Sequence, residues 1–459
     1  MLVTPHKGEW TDPWVVYHEG AFWLYFVEQE DGVGAGVGLS RSTDGVHWVD
    51  QGRVLSRSDA ARSLGAGAVW LAPTYERDGR FFMGFTEQSA STQAEVEPAI
   101  QMAESTDLVA WRRMGPQYEF RPDPRWYRAA GQHARWHDLC TLARGGGGQV
   151  GYWTADPIVG EPGFGFGVSA DCCHWRAMPP PRIAWGARPT PSALRMGGVV
   201  RVGGRYLALV EAPQAGRSGS CVYVLEAPSA DGPFAPAPRN AKILTSTVRG
   251  DELRLRPVAL HDEILLSHVA ATHHGERWLA PLKRLVVLDD GTACLAYWPG
   301  NDALLGTSAP VTGAVHEAPE ARITMLDERL DTRTGVMLEG RWEGLPTKVG
   351  DAFVGAGLYI ETTDGRGEGI LVPMLGQALA GPMRRFSLEL RLEDAVDRAL
   401  APDTSARFRL LLRGELAELY VNDILMLSRS LPAPANGVIG VLTAGRTQLV
   451  DVRAARFTL

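Results

Sequence analysis

The chain has 459 residues, a length that accommodates two or three domains with substantial cores. Apolar residues make up 45% and charged residues 22%, a globular balance that excludes an intrinsically disordered chain. The formal net charge of -7 argues against a nucleic-acid-binding role, and no run of 18 apolar residues offers a membrane-crossing helix.

In chain order, the first two thirds carry a phrase that returns. Asp44-Gly-Val-His-Trp48 comes back as Asp107-Leu-Val-Ala-Trp111 and as Asp171-Cys-Cys-His-Trp175, with a degraded copy at Asp231-Gly-Pro-Phe234, at a spacing of about 60 residues. A fixed period of this length marks stacked supersecondary units. Each unit reads as apolar strands around a Gly or Asp turn, so the array is expected to be a propeller. Blade one shows Pro13–Tyr17 and Phe22–Phe26, and blade two shows Val69–Tyr75 and Phe81–Phe85. Blade three shows Asp138–Leu142 and Val150–Trp153, and blade four shows Val199–Val202 and Tyr206–Val210. Blade five is expected to start near Arg256–Leu260 and to end with Trp278–Ala280 and Leu285–Leu288. After a small, polar, Gly/Pro-containing stretch the aromatic repeat stops. Strand-like runs follow at 352–360, 386–392, 407–412 and 417–421, with a short helix at 393–401 as one reading. The fold class is therefore all-β: a five-bladed β-propeller over 1–303, a linker over 304–318 and a C-terminal β-sandwich over 319–459.

Fourteen Trp is a surplus. Such residues either line sugar-binding clefts or pack blade cores. The five Cys have no metal-ligand spacing and suggest free thiols in a reducing compartment. The N-terminus has no apolar signal region, and a cytoplasmic location is expected. His273-His274 and His133 with His137 lack a recognised ligand partner, so no metal and no cofactor are expected. Gly145–Gly148 lacks the strand-to-helix context of a phosphate loop.

Sugar hydrolysis calls for two carboxyl groups across the scissile bond, one protonated and one ionised. In a propeller, acids at the start of first strands or the end of second strands share one rim. These are Asp12, Asp138, Glu28, Glu87, Asp156 and Glu211. Asp12 sits between Trp10 and Trp14 and is followed by Pro13; it reads as a catalytic acid or as a turn cap. Asp138 takes the same place in blade three. Glu211 ends the second strand of blade four, facing the same rim. It is the candidate acid, although Glu28 and Glu87 end the matching strands and the position could simply favour a polar rim. Trp10, Trp70, Trp136, His137, Glu87 and Asp156 are expected to bind substrate, with Trp126, Trp153 and Trp185 also near the pocket.

The chain resembles the five-bladed glycosidases of glycoside hydrolase family 32 and its relative family 43. Trp10-Thr-Asp-Pro13 is similar to the first family motif, Trp-Asn-Asp-Pro, whose Asp is the nucleophile. His137-Asp-Leu139 is similar to the Arg-Asp-Pro motif, whose Asp holds sugar hydroxyls. Leu279–Gly291 resembles the segment that closes the propeller, and Glu418–Asp423 with Gly437–Gly440 resembles the family's sandwich. Thr11 replaces the Asn of the first motif, and the second lacks its Arg and Pro. The third motif, Glu-Cys-Pro before blade four, is replaced by Arg195-Met-Gly-Gly198. The resemblance implies a retaining furanosidase, with fructosides as first substrates: Asp12 as nucleophile, Asp138 as hydroxyl holder, and Glu211, on geometry, as acid. The alternatives are an inverting, arabinofuranosidase-like hydrolase, a carbohydrate-binding protein without catalysis, and a protein-interaction scaffold. The expected partner is an oligosaccharide or small glycoside, with no nucleic acid and no membrane. Homo-oligomerisation is left open, with the sandwich stabilising the propeller or serving assembly.

Overall fold

The computed structural model describes residues 8–30, 33–58, 69–71, 75–87, 97–129, 134–144, 147–214, 219–311, 318–348, 354–398 and 400–458. It is a five-bladed β-propeller followed by a β-sandwich. Blade one is an antiparallel meander of Glu9–His18, Ala21–Glu30, Val33–Ser42 and Val49–Ser56. Blade three repeats it with Trp136–Ala143, Gln149–Ala155, Gly165–Ser169 and Trp175–Met178. Blade four runs Arg195–Val202, Arg205–Pro213 and Ser220–Ala227, with two short strands sharing the outer edge. In blade two the inner strand is split into Val69–Leu71 and Tyr75–Arg77, both paired with Arg80–Glu87.

Two local devices repeat, and both follow from side-chain chemistry. The turn between first and second strands places consecutive residues at positive φ: Glu19-Gly20, Asp78-Gly79 and Gly203-Gly204. That conformation matches the right-handed twist of a tight hairpin, and Gly in second place lowers its cost. The second device is the recurring phrase itself. Asp44 Oδ1 accepts N–H bonds from Val46 (3.0 Å) and His47 (2.9 Å) and the hydroxyl of Ser42 (2.9 Å). Asp107 does the same with Val109, Ala110 and Ser105, and Asp171 with Cys173, His174 and Ser169. The phrase is a side-chain-closed turn joining the third and fourth strands of a blade.

Blade five differs from its sequence reading. Its strands are Arg256–Leu260, Glu263–Ser267, Lys283–Val287 and Ala293–Tyr297, so Ala293–Tyr297 and not Leu285–Leu288 is the last. Trp278 belongs to a hairpin, Val269–Ala271 with Arg277–Leu279, inserted before the third strand. The outer strand bridges to Ile424 through Ala296, so this blade is continuous with one sheet of the sandwich. That sheet runs Ile424–Ser430, Leu416–Val421, Ser405–Arg413, Val336–Glu343 and Gln448–Arg456, and Ala309–Pro310, within the stretch read as linker, adds to its edge. The facing sheet runs Ala318–Met325, Ile439–Gly445, Gly355–Thr363, Arg366–Val372, Gln377–Arg384 and Asp394–Asp397. Their core includes Trp342 stacked on Phe408 at 4.5 Å. The stretch 393–401 therefore holds a strand and not a helix, since Asp394–Asp397 pairs with Gln377–Ala380. The run 386–392 is a loop: Leu388 N–H bonds back to Arg384 O (3.0 Å), Leu388 takes φ 55, and Phe386 is exposed.

A buried ion pair ties blade five to the sandwich. Lys283 Nζ lies 2.8 Å from Glu418 Oε1, and the Tyr420 hydroxyl donates to Oε2 (2.7 Å). Burial pushes Glu418 up, but Lys283 and His268 outweigh this and hold it at about 2. A carboxyl depressed in the folded state contributes stability that is present above its unfolded pKa and fades as pH falls toward about 2. Lys283→Met, which strands the buried carboxylate, is expected to lower stability by about 3–5 kcal/mol at pH 7. Urea unfolding checks this; adding Glu418→Leu should restore most of the loss.

Candidate active site

The site is made by irregularities in otherwise regular inner strands. In blade one the register shifts between Thr11 and Trp14, so Asp12 and Pro13 together face one partner residue. In blade three it shifts between His137 and Cys140, so Asp138 and Leu139 do the same. Both aspartates have positive φ, 54° and 62°. A bulge re-aims a side chain, and non-glycine residues at positive φ gather where function demands them. The equivalent bulge in blade four falls at Gly197. A Cβ there would meet Leu255 O at 2.4 Å, so blade five's backbone leaves no room for a side chain at this position.

The two aspartates converge. Arg256 Nη2 donates to Asp12 Oδ1 (2.6 Å) and to Asp138 Oδ1 (2.8 Å). The Arg256 guanidinium lies 3.7 Å from the Trp14 ring centroid, a cation–π contact. Arg254 Nη1 stands 3.4 Å from Asp12 Oδ1 and 3.7 Å from Asp138 Oδ1. Asp138 Oδ2 takes the Thr154 hydroxyl (2.9 Å), Arg195 Nε (3.2 Å) and His137 Nδ1 (2.7 Å). Burial pushes Asp138 up, but His137, Arg256 and Arg195 beside it hold it well below the usual carboxylate range. Burial pushes His137 down, against the pull of Asp138, so the ring is neutral and gives its Nδ1–H to the carboxylate.

Beside this hub opens a cavity of about 580 Å³ whose lining includes Arg135, His137, Arg195, Glu211, Asp251 and Glu252. Glu252 links Arg195 (2.6 Å) and Arg254 (2.6 Å). Burial would raise it, but those two guanidiniums hold it at about 2. Burial raises Asp251 to about 6, the Ser246 hydroxyl opposing and Glu211 adding to the rise. Glu211 accepts backbone N–H bonds on both oxygens, from Leu253 (2.9 Å) and Arg254 (3.2 Å). It lines the cavity as expected, but its oxygens anchor the chain entering blade five.

The remaining expected residues separate. His137 lines the cavity. Asp156 reaches it indirectly, orienting Arg135 through Nε (3.0 Å). Glu87 is held away by Arg113 (2.5 Å) and by Ser58, and Glu28 by Arg53 (2.5 Å). Trp10 is buried edge-on to Phe26 in a core shared with blade five. Trp136 is fully buried: its Nε1 donates to Phe120 O (2.8 Å) and its ring packs on Trp153 at 4.9 Å. Neither indole lines the cavity: each packs into a core, and the bulges two residues on turn the aspartates, not the indoles, to the hub. Trp185 borders a separate groove with Pro180 and Pro181, and Trp126 lies under Arg125. The side chain of Trp70 lies outside the described residues. Sequence reasoning missed Arg195 and the run Asp251-Glu-Leu-Arg-Leu-Arg256, where charge alternates with Leu at the entry to an inner strand.

Arg256→Met would remove the closer of the two cations these carboxylates share, leaving Arg254 at 3.4 and 3.7 Å. Asp138, depressed in the folded state, contributes stability above about pH 4 that is lost as pH falls through its folded pKa. The variant should therefore lose about 3–5 kcal/mol at pH 7, and less by about 1 kcal/mol near pH 3. Denaturant unfolding at both pH values checks this; an equal loss at both would contradict the bridging role.

No protein-family model matches the sequence, and no curated protein matches it. Solved structures do share its fold. A sucrose-6-phosphate hydrolase from Lactobacillus gasseri aligns over 98% of this chain and 91% of its own, with TM-score 0.71 and 13% identity. An exo-inulinase from Aspergillus awamori aligns over 99% and 97%, with TM-score 0.66 and 13% identity. A glycoside hydrolase family 32 β-fructofuranosidase from Bombyx mori aligns over 98% and 91%, with TM-score 0.66 and 14% identity. The architecture is thus that of the family the motifs resemble.

Proposed function

We propose that the protein is a glycoside hydrolase acting on furanosides, fructosides first, by double displacement with retention. The observation that carries this reading is the meeting of Asp12 and Asp138, from separate blades, on one nitrogen of Arg256. Asp12, presented by a bulge at the hub, attacks the anomeric carbon. Asp138, held ionised by Arg256, Arg195 and His137, holds ring hydroxyls and stabilises the oxocarbenium-like transition state. Support comes from the shared fold with enzymes described as a sucrose-6-phosphate hydrolase, an exo-inulinase and a β-fructofuranosidase. The five buried, unbridged cysteines suit a reducing compartment.

A second reading is a carbohydrate-binding protein without turnover. It is favoured by Gly197 in the blade-four bulge and by the double backbone engagement of Glu211. Sugar titration beside a product assay separates the two, since binding without product over long incubation would favour the second. For the enzyme, Asp12→Asn is expected to lower kcat on fructans or aryl furanosides by about 10³-fold or more. NMR of the first-formed anomer should show retention. Unchanged turnover would remove Asp12 from the mechanism, and an inverted product would favour the arabinofuranosidase-like alternative.

A further inference from the structure

We propose that Asp251 is the proton donor to the leaving group, a role no family motif in this chain assigns; the proposal rests on the glycosidase reading above. Among the described residues, three acidic residues line the cavity. Glu211 accepts a backbone N–H on each oxygen. Glu252 spans Arg195 and Arg254 and stays ionised at about 2. Asp251 is the third. Its backbone is fixed, the N–H bonding to Val248 O (3.3 Å) and the C=O accepting the Ser220 hydroxyl (3.0 Å). Its side chain has the Ser246 hydroxyl and the Glu252 backbone N–H as hydrogen-bond partners.

Position adds to this. Three residues after Asp251 the same strand entry reaches Arg254, which stands against both hub carboxylates, and five residues after it Arg256. The segment whose arginines pair with Asp12 thus also presents Asp251 on the cavity wall. The charged groups facing Asp251 are Glu211 from blade four and Arg277 from the blade-five hairpin, while Glu252, next in the chain, gives it a backbone N–H. Burial, with Glu211 adding, lifts it to about 6 against the pull of Ser246 and Arg277. A carboxyl at that level is protonated in mildly acidic solution and can also lose its proton, as a general acid must.

The steps balance. As an Asp12 oxygen bonds to the anomeric carbon, the bond to the leaving oxygen breaks and that oxygen takes the Asp251 proton. A water oxygen then bonds to the anomeric carbon, its proton passes to the Asp251 carboxylate, and the bond to Asp12 breaks.

The test compares methyl and 2,4-dinitrophenyl furanosides of one sugar, because the dinitrophenolate departs without protonation. Asp251→Asn should lose about 10²–10⁴-fold on the methyl glycoside and less than about tenfold on the dinitrophenyl glycoside. Asp251→Glu should restore the methyl activity. In the wild type, kcat/KM for the methyl glycoside should fall as pH rises through about 6, where the acid form is lost. Equal losses on both substrates by a folded variant, or no loss on the methyl glycoside, overturns the proposal. If the variant does not fold, a wild-type profile without that limb does the same. Asp12→Asn run in parallel separates the two levels: its inactivity beside an active Asp251→Asn rejects only the donor, and its full activity rejects the glycosidase reading.

Discussion

Arg256 Nη2 holds carboxylates delivered by blades one and three, and the guanidinium that carries it comes from blade five. Two carboxylates about 4 Å apart repel by about 4 kcal/mol at an effective dielectric near 20. Without a shared cation, one of them would take up a proton or turn away. Arg256, with Arg254 at 3.4 and 3.7 Å from the same oxygens, removes that conflict, and the Trp14 ring packs against the Arg256 guanidinium. Three blades, distant in the chain, are thereby joined at the axis by charge and by π contact. The Asp12 and Asp138 bulges depend on this, because a carboxylate aimed inward at positive φ is tolerable only with a partner waiting.

Around that bridge the acids divide by what faces them. Asp138 and Glu252 stand against guanidiniums and remain ionised. Asp251, next to Glu252 in the chain, is buried beside Glu211 and is pushed toward neutrality. Adjacent carboxyls driven in opposite directions are a recurring arrangement in acid–base chemistry. Here the division is made by one short segment at the entry to blade five, whose alternating charges and leucines send the arginines to the hub.

Much of the architecture was legible because it repeats. The Asp-x-x-x-Trp phrase encodes a turn that closes itself through local hydrogen bonds, so its spacing reveals blades without reference to distant contacts. Asp12 and Asp138 were legible for a related reason: each begins an inner strand, and inner strands meet at the axis. The indoles misled, since plain alternation would put Trp10 and Asp12 on one face, whereas the bulge turns Asp12 to the hub and leaves Trp10 in the core, and the sequence pattern does not say which residues lie at the bulge. Blade five was read poorly because an inserted hairpin breaks its rhythm and its last strand joins the sandwich.

The sequence by itself determined an all-β chain, a propeller with a second β domain, and two aspartates in equivalent places, because periodicity and turn chemistry are local properties. Tertiary structure alone decided which charges meet. It brought Arg256 to both aspartates across 244 and 118 residues of chain. It closed the blade-four bulge to any side chain through Leu255 O, and it engaged Glu211 in anchoring the backbone while leaving Asp251 on the cavity wall. Those outcomes depend on distance and burial, quantities that exist only once the blades close into a ring.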